Sequence, residues 1–195
     1  MKNSVAVVIP IYGDTDFWER MAINAHRSCE DQTFMNFQLV YSKGENITEC
    51  RNKALENVNT EYLIFLDADD ELHPTYIEEM LKGNADIRVP SVHRHYENGH
   101  LDTDQTHYQP KDLMTGNYIV VSAMIRTSLF KQLGGFHDYD TLEDWDLWLR
   151  AEEAGATFEQ IPNAILKVNK RLGSRNSNKS FYEILDKAKT RRGIV

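Results

Sequence analysis

The sequence has few cysteines and no long hydrophobic segment. Its 195 residues include two cysteines, Cys29 and Cys50, which are too few for a disulfide framework or a zinc site, so we expect both to be reduced. No apolar run approaches the roughly 18 residues that a membrane-spanning helix needs, and the N-terminal residues lack the pattern of a signal peptide. These absences argue against a disulfide-rich secreted protein or an integral membrane protein, and they predict a cytoplasmic one.

Charge is unevenly distributed along the chain. The net charge is −8, but residues 167–195 hold nine Lys or Arg against two Asp or Glu, a net +7, which leaves −15 on the remainder. A basic end on an acidic body predicts contact with an anion such as a diphosphate, a phospholipid surface or a nucleic acid. The alternative is a basic tail that is simply solvated.

Strand-like and helix-like segments alternate, and no linker or repeat divides the chain. In the first half the predicted strands are Val5–Ile9, Phe37–Tyr41 and Tyr62–Leu66, and the predicted helices are Thr15–Asp31, Thr48–Val58 and Pro74–Lys82. In the second half we predict a hairpin of Asp86–His95 and Leu101–Tyr108, a strand at Asn117–Ile125, and helices at Ser128–Leu133 and Thr141–Ala154. This βαβαβ beginning predicts a single α/β domain with a mostly parallel central sheet flanked by helices. Ligands of such sheets bind beyond the carboxyl ends of the strands.

An acidic segment follows the most apolar predicted strand. Four carboxylates occur in Asp67-Ala-Asp-Asp-Glu71, and they repel one another unless a cation or solvent compensates their charge. Mg²⁺ and Mn²⁺ prefer such oxygen ligands and keep positions open for substrate phosphates. The segment therefore predicts a divalent metal site, and the alternative is a solvated acidic turn before a helix.

Six short motifs occur in a characteristic order. They are Val7-Val-Ile-Pro-Ile-Tyr12, Asp31-Gln-Thr33, Cys50-Arg-Asn52, Tyr62-Leu-Ile-Phe-Leu-Asp-Ala-Asp-Asp70, Gly134-Gly-Phe136 and Glu143-Asp-Trp-Asp-Leu-Trp-Leu-Arg150. Together they resemble the family 2 glycosyltransferases, enzymes of the GT-A fold that transfer a sugar from a nucleotide donor. The resemblance covers about residues 4–175. It implies a Rossmann-like GT-A domain at 1–175, followed by a basic tail at 176–195 that we expect to be helical.

The resemblance implies a donor site at the ends of the first and third strands. Pro10 and Tyr12 match the loop that holds the nucleotide base, on which Tyr12 would stack, and Arg51 would lie near the nucleotide. Asp67 would face the ribose or the metal, and Asp69 would bind the Mn²⁺ or Mg²⁺ that bridges the diphosphate. A UDP-sugar is the expected donor.

The resemblance also implies a catalytic base on the Thr141–Ala154 helix. Asp144 would accept the proton of the acceptor hydroxyl as it attacks the anomeric carbon, giving a single displacement with inversion, and Glu143 would position the acceptor or the base. The alternative interpretation is that both acids only favour the start of the helix. Apart from what the resemblance implies, the basic residues Lys170, Arg171 and Arg175 would neutralise the diphosphate.

Two features of the family are missing. An Asp-Asp-Gly-Ser stretch usually follows the second strand and reads the base, but Val40-Tyr-Ser-Lys-Gly-Glu45 occupies that place, so Ser42 or Glu45 would have to substitute. Lys167–Ser174 also lacks the histidine that often ends the domain. The histidines at 93, 95, 100 and 107 fit a polar hairpin better than a metal site, and a hairpin that overhangs the cleft would contact the acceptor.

Other functions use comparable elements. A haloacid-type phosphatase needs its Asp-x-Asp after the first strand and a Thr where Glu71 stands, and a nucleotidyltransferase needs a Gly-rich basic loop that Pro10–Asp14 does not provide. A non-catalytic module that binds a nucleotide-sugar or a glycan stays open as the alternative. The predicted acceptor is a saccharide or a lipid-linked saccharide, with a hydroxylated nucleic-acid base or a protein as further candidates.

Overall fold

Strands and helices alternate in the first half of the chain, and a hairpin and a long strand complete the sheet in the second half. The computed structural model describes residues 4–13, 15–104, 108–170 and 180–194. The strands are β1 (Val5–Tyr12), β2 (Phe37–Gly44), β3 (Tyr62–Phe65), β4 (Glu71–Leu72), β5 (Ile87–Tyr96), β6 (Leu101–Asp104), β7 (Met124–Arg126) and β8 (Phe158–Lys170). The helices are α1 (Thr15–Glu30), α2 (Ile47–Lys53), α3 (Tyr76–Lys82), α4 (Pro110–Leu113), α5 (Thr127–Gln132), α6 (Glu143–Glu153) and α7 (Phe181–Arg191), and a short 3₁₀ helix at Ala54–Asn57 follows α2.

These strands form one mixed sheet in the order β2-β1-β3-β7-β5-β8-β4, with β6 paired to β5. The pairs β1–β2, β1–β3 and β5–β8 are parallel, whereas β3–β7, β5–β7, β5–β6 and β4–β8 are antiparallel. The single α/β domain is confirmed, but the sheet is mixed and not mostly parallel. Helical crossovers make β1, β2 and β3 parallel, whereas the short β5–β6 turn permits only an antiparallel pair.

Two segments differ from the sequence-based expectation. Of the expected strand Asn117–Ile125, only Met124 and Ile125 belong to a strand, β7. Residues 117–122 run along the carboxyl edge, and β7 then returns antiparallel from it. Strand β8 was not predicted, although it is the longest strand among the described residues. Its sequence contains Pro162, and its pairing with β5 shifts register between Pro90 and Ser91, so no regular alternation marks it.

The sheet is covered on both faces by apolar clusters. Ala6 and Val8 of β1 pack into one cluster, and Val7 and Ile9 pack into the other. A strand buried on both faces needs apolar residues at every position, which explains the continuous run in β1. Cys29 and Cys50 are both buried, and neither forms a disulfide with the other.

Helix α7 packs against the body of the domain. Its Ile184 and Ala188 are fully buried in the same cluster as Trp145 of α6. Arg191 and Arg192 pair with the α6 carboxylates Glu153 and Glu152, so part of the positive charge at this end is balanced within the chain.

The expected boundary near residue 175 lies outside the described residues and stays a prediction. No helix in the described ranges is long and apolar enough to cross a membrane.

Candidate functional site

A cleft of about 860 Å³ opens at the carboxyl ends of β1 and β3. It is bounded on the far side by residues 117–122 and the start of α6, and at one end by the last residues of β8. Eight residues that the sequence predicted for the site line this cleft: Pro10, Tyr12, Arg51, Asp67, Asp69, Glu143, Asp144 and Lys170. Arg171 and Arg175, predicted together with Lys170, lie outside the described residues.

The acidic loop after β3 forms a tight turn at the floor of the cleft. The backbone N–H of Asp70 donates to the Asp67 carbonyl at 3.0 Å, and the Asp70 side chain is buried below the loop. Burial, together with the nearby charges of Asp67 and Asp69, raises the pKa of Asp70 well above its usual range. The carboxyl groups of Asp67, Asp69 and Asp70 therefore lie close together at this turn.

The end of β8 holds the acidic loop in place. The Asn169 side chain donates to the Asp69 carbonyl at 2.7 Å, and its backbone N–H donates to Asp70 Oδ1 at 3.1 Å. Lys167 Nζ lies 2.7 Å from Glu71 Oε1. Sequence reasoning missed these supports because β8 itself was not identified. The alternation of Lys167 and Asn169 was the only signal, and two polar residues two apart also occur in many exposed strands.

A buried arginine connects the acidic loop to helix α6. Arg51 of α2 is 3% exposed, and its two terminal nitrogens donate to Asp67 Oδ1 and to Glu143 Oε1, each at 2.6 Å. Burial alone would lower the pKa of the Arg51 guanidinium, but the carboxylates of Asp67 and Glu143 outweigh it and raise that pKa above its ordinary value. Arg51 is therefore a permanent cation between the two acidic parts of the cleft.

Asp144 lies in the first turn of α6, facing the cleft and half-buried. Burial and the neighbouring charge of Glu143 raise the pKa of the Asp144 carboxyl to about 7, against the opposing effects of Arg51, the Asn117 side chain and the Trp145 backbone N–H. Leu142, just before this turn, has φ +66, a left-handed conformation found at no other non-glycine residue of the described chain. Such strain costs on the order of 1 kcal/mol and is concentrated at functional sites.

Much of the motif around Asp144 serves the fold. Trp145 and Trp148 are fully buried, and their indole N–H groups donate to backbone carbonyls. Asp146 is also fully buried and pairs with Arg150 at 2.7 Å. Arg150 in turn donates to the carbonyl of Gly135 at 2.8 Å, so it supports the Gly-Gly-Phe turn.

Aromatic side chains form the other end of the cleft. Tyr12 and Trp18 are stacked with centroids 5.7 Å apart, and Phe17 packs edge-on against Trp18 at 5.1 Å. The sequence predicted Tyr12 here but missed Phe17 and Trp18, which look like ordinary residues of an amphipathic helix. Neither Ser42 nor Glu45 lines the cleft, so neither of the two proposed substitutes for the missing base-reading acid has a place in it.

Carboxylates at the cleft floor suit a hard cation. Asp67 and Asp69 are two residues apart on the loop, and the Asp67 side chain is 36% exposed. Mg²⁺ and Mn²⁺ are often held by one or two carboxylates and substrate phosphates, so this pair fits such an ion. No group of three or more His, Cys, Asp or Glu side chains suited to a metal occurs among the described residues. The hairpin residues His93, His95 and His100 therefore do not form such a group.

Comparison with known proteins identifies the family of this chain. The sequence model for Glycosyl transferase family 2 matches residues 32–141, more than half of the chain. This chain therefore belongs to glycosyl transferase family 2. The putative glycosyltransferase EpsH of Bacillus subtilis (strain 168) is 32% identical over 50 residues, which are 26% of this chain and 14% of EpsH.

Solved structures show the same fold. S. aureus TarS 1–349 in complex with UDP-GlcNAc has a TM-score of 0.74 at 15% identity, and the match covers 96% of this chain and 66% of that one. The complex of TarS 1–349 with UDP has a TM-score of 0.68 at 15% identity, covering 96% and 65%. The predicted GT-A fold is confirmed. The chain spans at most 66% of the length of these relatives.

Proposed function

We propose that this chain transfers a sugar from a UDP-sugar to an acceptor hydroxyl in the cleft described above. The observation that carries the proposal is that the acidic loop with Asp67 and Asp69 and the helix start with Asp144 face one cavity. A glycosyltransferase of this type needs one acidic site for the diphosphate's cation and a separate one for the proton of the acceptor.

The nucleotide would occupy the aromatic end of the cleft. Tyr12 would stack on the base with Pro10 beside it, while Lys170 and Arg171 would neutralise the diphosphate. Uridine is the proposed base because UDP and UDP-GlcNAc are the ligands of the matching TarS complexes. Arg51 would lie near the nucleotide with both terminal nitrogens already bonded to carboxylates.

Asp69, with Asp67, would hold Mn²⁺ or Mg²⁺ at the diphosphate. A cation there supplies stabilisation of the negative charge that develops on the leaving nucleoside diphosphate. The position of both carboxylates on the lining of the cleft supports this placement.

Asp144 would accept the proton of the acceptor hydroxyl. A base whose pKa lies near neutrality is ionised often enough to act and basic enough to take the proton. Attack from this side on the anomeric carbon, opposite the diphosphate, would displace the nucleotide in one step with inversion. We expect the acceptor to be a saccharide or a lipid-linked saccharide and the site of action to be the cytoplasm.

A panel of nucleotide-sugars tests the proposal. UDP-sugars should raise the melting temperature more with Mn²⁺ or Mg²⁺ than with EDTA, and Asp69→Ala should remove the metal-dependent part. Asp102→Ala, in an exposed residue of β6, is the matched control and should keep it. If wild type and Asp69→Ala were stabilised equally, Asp69 would not be a metal ligand.

Transfer itself is measured as nucleoside diphosphate release and as the anomeric configuration of the product. If a UDP-sugar bound but no acceptor from the saccharide and lipid-linked saccharide classes gave product, the alternative of a non-catalytic binding module would be favoured.

A further inference from the structure

We propose that Arg51 and Asn52 are positioning residues that fix Asp144 opposite the acidic loop, and that Glu143 acts through Arg51 and not on the acceptor. The inference deepens the proposed function, because it assigns Asp144 the role of base. It rests on two neighbouring residues of the short helix α2. Arg51 bonds to Glu143, the first residue of α6, and Asn52 bonds to Phe136 in the segment before α6.

The first connection runs through Arg51. Its guanidinium bonds to Asp67 on the acidic loop and to Glu143 at the start of α6, both at 2.6 Å. Glu143 is buried, so its carboxylate faces Arg51 and has little surface left for an acceptor. Because one rigid, planar group bonds to both carboxylates, the separation of the two acidic sites is set by its geometry.

The second connection runs through Asn52. Its side chain donates to the carbonyl of Phe136 at 2.8 Å and accepts from the N–H of Phe136 at 2.9 Å. Phe136 is buried and packs against Phe65, the last residue of β3, with ring centroids 5.0 Å apart. The Gly-Gly-Phe turn is therefore held both by α2 and by the strand that leads into the acidic loop.

The same residues determine the charge that Asp144 experiences. The groups that face its carboxyl are Glu143 from α6, Arg51 from α2, and the Asn117 side chain from the opposite wall. Glu143 raises the pKa of Asp144 and Arg51 lowers it. Removing Glu143 should therefore lower the pKa of Asp144, and removing Arg51 should raise it. Residues that only supported the fold would not shift this pKa in opposite directions.

The first experiment does not depend on activity. The carboxyl resonance of Asp144 is followed by ¹³C NMR against pH, without metal or nucleotide, in wild type, Glu143→Gln, Arg51→Gln and Asn52→Ala. We expect the pKa of Asp144 to fall in Glu143→Gln, to rise in Arg51→Gln and to stay unchanged in Asn52→Ala. Shifts in the same direction for the two charge variants, or no shift in either, would overturn the proposal.

The second experiment separates positioning from nucleotide contact. Arg51→Lys keeps the charge but cannot bond to both carboxylates in the same geometry, and Asn52→Ala removes both bonds to Phe136. Each should lower kcat by about 10- to 100-fold, as expected for a small misplacement of a catalytic group, and leave the Kd of UDP within about twofold. A loss of UDP affinity that matches the loss of kcat would show that Arg51 contacts the nucleotide, and the proposal would fail.

A control variant tests whether replacing any buried arginine, by destabilising the fold, would lower kcat in the same way. Arg88 of β5 is also buried and bonded to backbone carbonyls and to Tyr62, but it does not line the cleft. Arg88→Lys should lower the melting temperature and keep kcat, and an equal loss of kcat in Arg88→Lys would remove the support from the kinetic result. If no donor supports transfer in wild type, the proposed function fails, while the NMR titrations still decide the roles of Arg51 and Glu143.

Discussion

Gly135 lies so close to Asn52 that a Cβ atom at this position would be 2.5 Å from the Asn52 side-chain oxygen. Its φ is +76, and that of Gly134 is +78, but a Cβ on Gly134 would meet nothing within 4 Å. The second glycine of the Gly-Gly-Phe motif is therefore required by the bond between Asn52 and Phe136. The first is required only by the backbone conformation of the turn.

This difference predicts unequal effects of two alanine substitutions. Gly134→Ala should cost about 1–2 kcal/mol of unfolding free energy, because alanine is strained at positive φ. Gly135→Ala should cost a further amount of about 1–3 kcal/mol, since the new methyl overlaps the Asn52 oxygen and must displace it. Urea unfolding of both variants measures the two values, and equal losses would show that Asn52 adjusts without cost.

Substitution of Asp144 should separate donor binding from transfer. Asp144→Asn keeps the shape of the side chain and its acceptor for the Trp145 N–H, but it cannot take a proton. We expect the Kd of UDP to be unchanged and kcat to fall by about 10²- to 10⁴-fold, the usual contribution of a general base. Asp138→Asn, in an exposed residue outside the cleft, is the control and should retain full activity. Near-normal transfer by Asp144→Asn would exclude its role as base.

The pH dependence of transfer should follow the ionisation of Asp144. Burial and Glu143 raise the pKa of its carboxyl to about 7, and only the ionised form accepts a proton. The value of kcat/KM, which reports the free enzyme, should therefore rise with pH through about 7 and level off above it. An acid limb near pH 4 would show that the base titrates as an ordinary exposed carboxylate.

The sequence predicted where the site residues lie better than it predicted the contacts that hold them in place. Strands β1 and β3 are apolar along their length because both faces are covered, so Tyr12 at the end of β1 and Asp67 just after β3 could be placed at one sheet edge. Asp144 was placed through its motif and not through periodicity. Its approach to Asp67 depends on Arg51, a long-range ion pair that leaves no local pattern in the sequence.

Other parts of the fold could not be predicted because their sequences carry weak signals. Strand β8 contains Pro162-Asn163, a pair typical of turns, yet a register shift between Pro90 and Ser91 of β5 accommodates it. The segment after Gly116 has the apolar residues of a strand, but its Ile119 carbonyl accepts from the Trp148 indole and not from a neighbouring strand. In both places tertiary contacts outweigh local propensity.

Helix α7 should contribute to the stability of the whole domain. Ile184 is fully buried against the cluster that contains Trp145, whereas Tyr182 on the same helix is 75% exposed. Ile184→Ala should lower the unfolding free energy by about 2–5 kcal/mol, because it leaves a cavity in a packed core, and Tyr182→Ala should change it by no more than about 0.5 kcal/mol. If urea unfolding gave the same small change for both, α7 would not be part of the cooperative unit.

The raised pKa of Asp144 also predicts that the base destabilises the folded chain at neutral and higher pH. In the unfolded chain this carboxyl has an ordinary pKa near 4, whereas in the folded chain it is raised to about 7. Between these values the folded state binds more protons than the unfolded state, so the contribution of Asp144 to stability falls as pH rises and is lowest above pH 7. Below pH 4 both states are protonated and the penalty is absent.

The substitution Asp144→Asn removes this titration and so tests the prediction. Asp70, whose pKa is also raised, is present in both proteins, so its contribution cancels in the difference between their unfolding free energies. Without metal or nucleotide, the unfolding free energy of Asp144→Asn minus that of wild type should therefore increase between pH 4 and 7 and stay constant above it. A difference that did not vary with pH would show that Asp144 has the same pKa in the folded and unfolded chains.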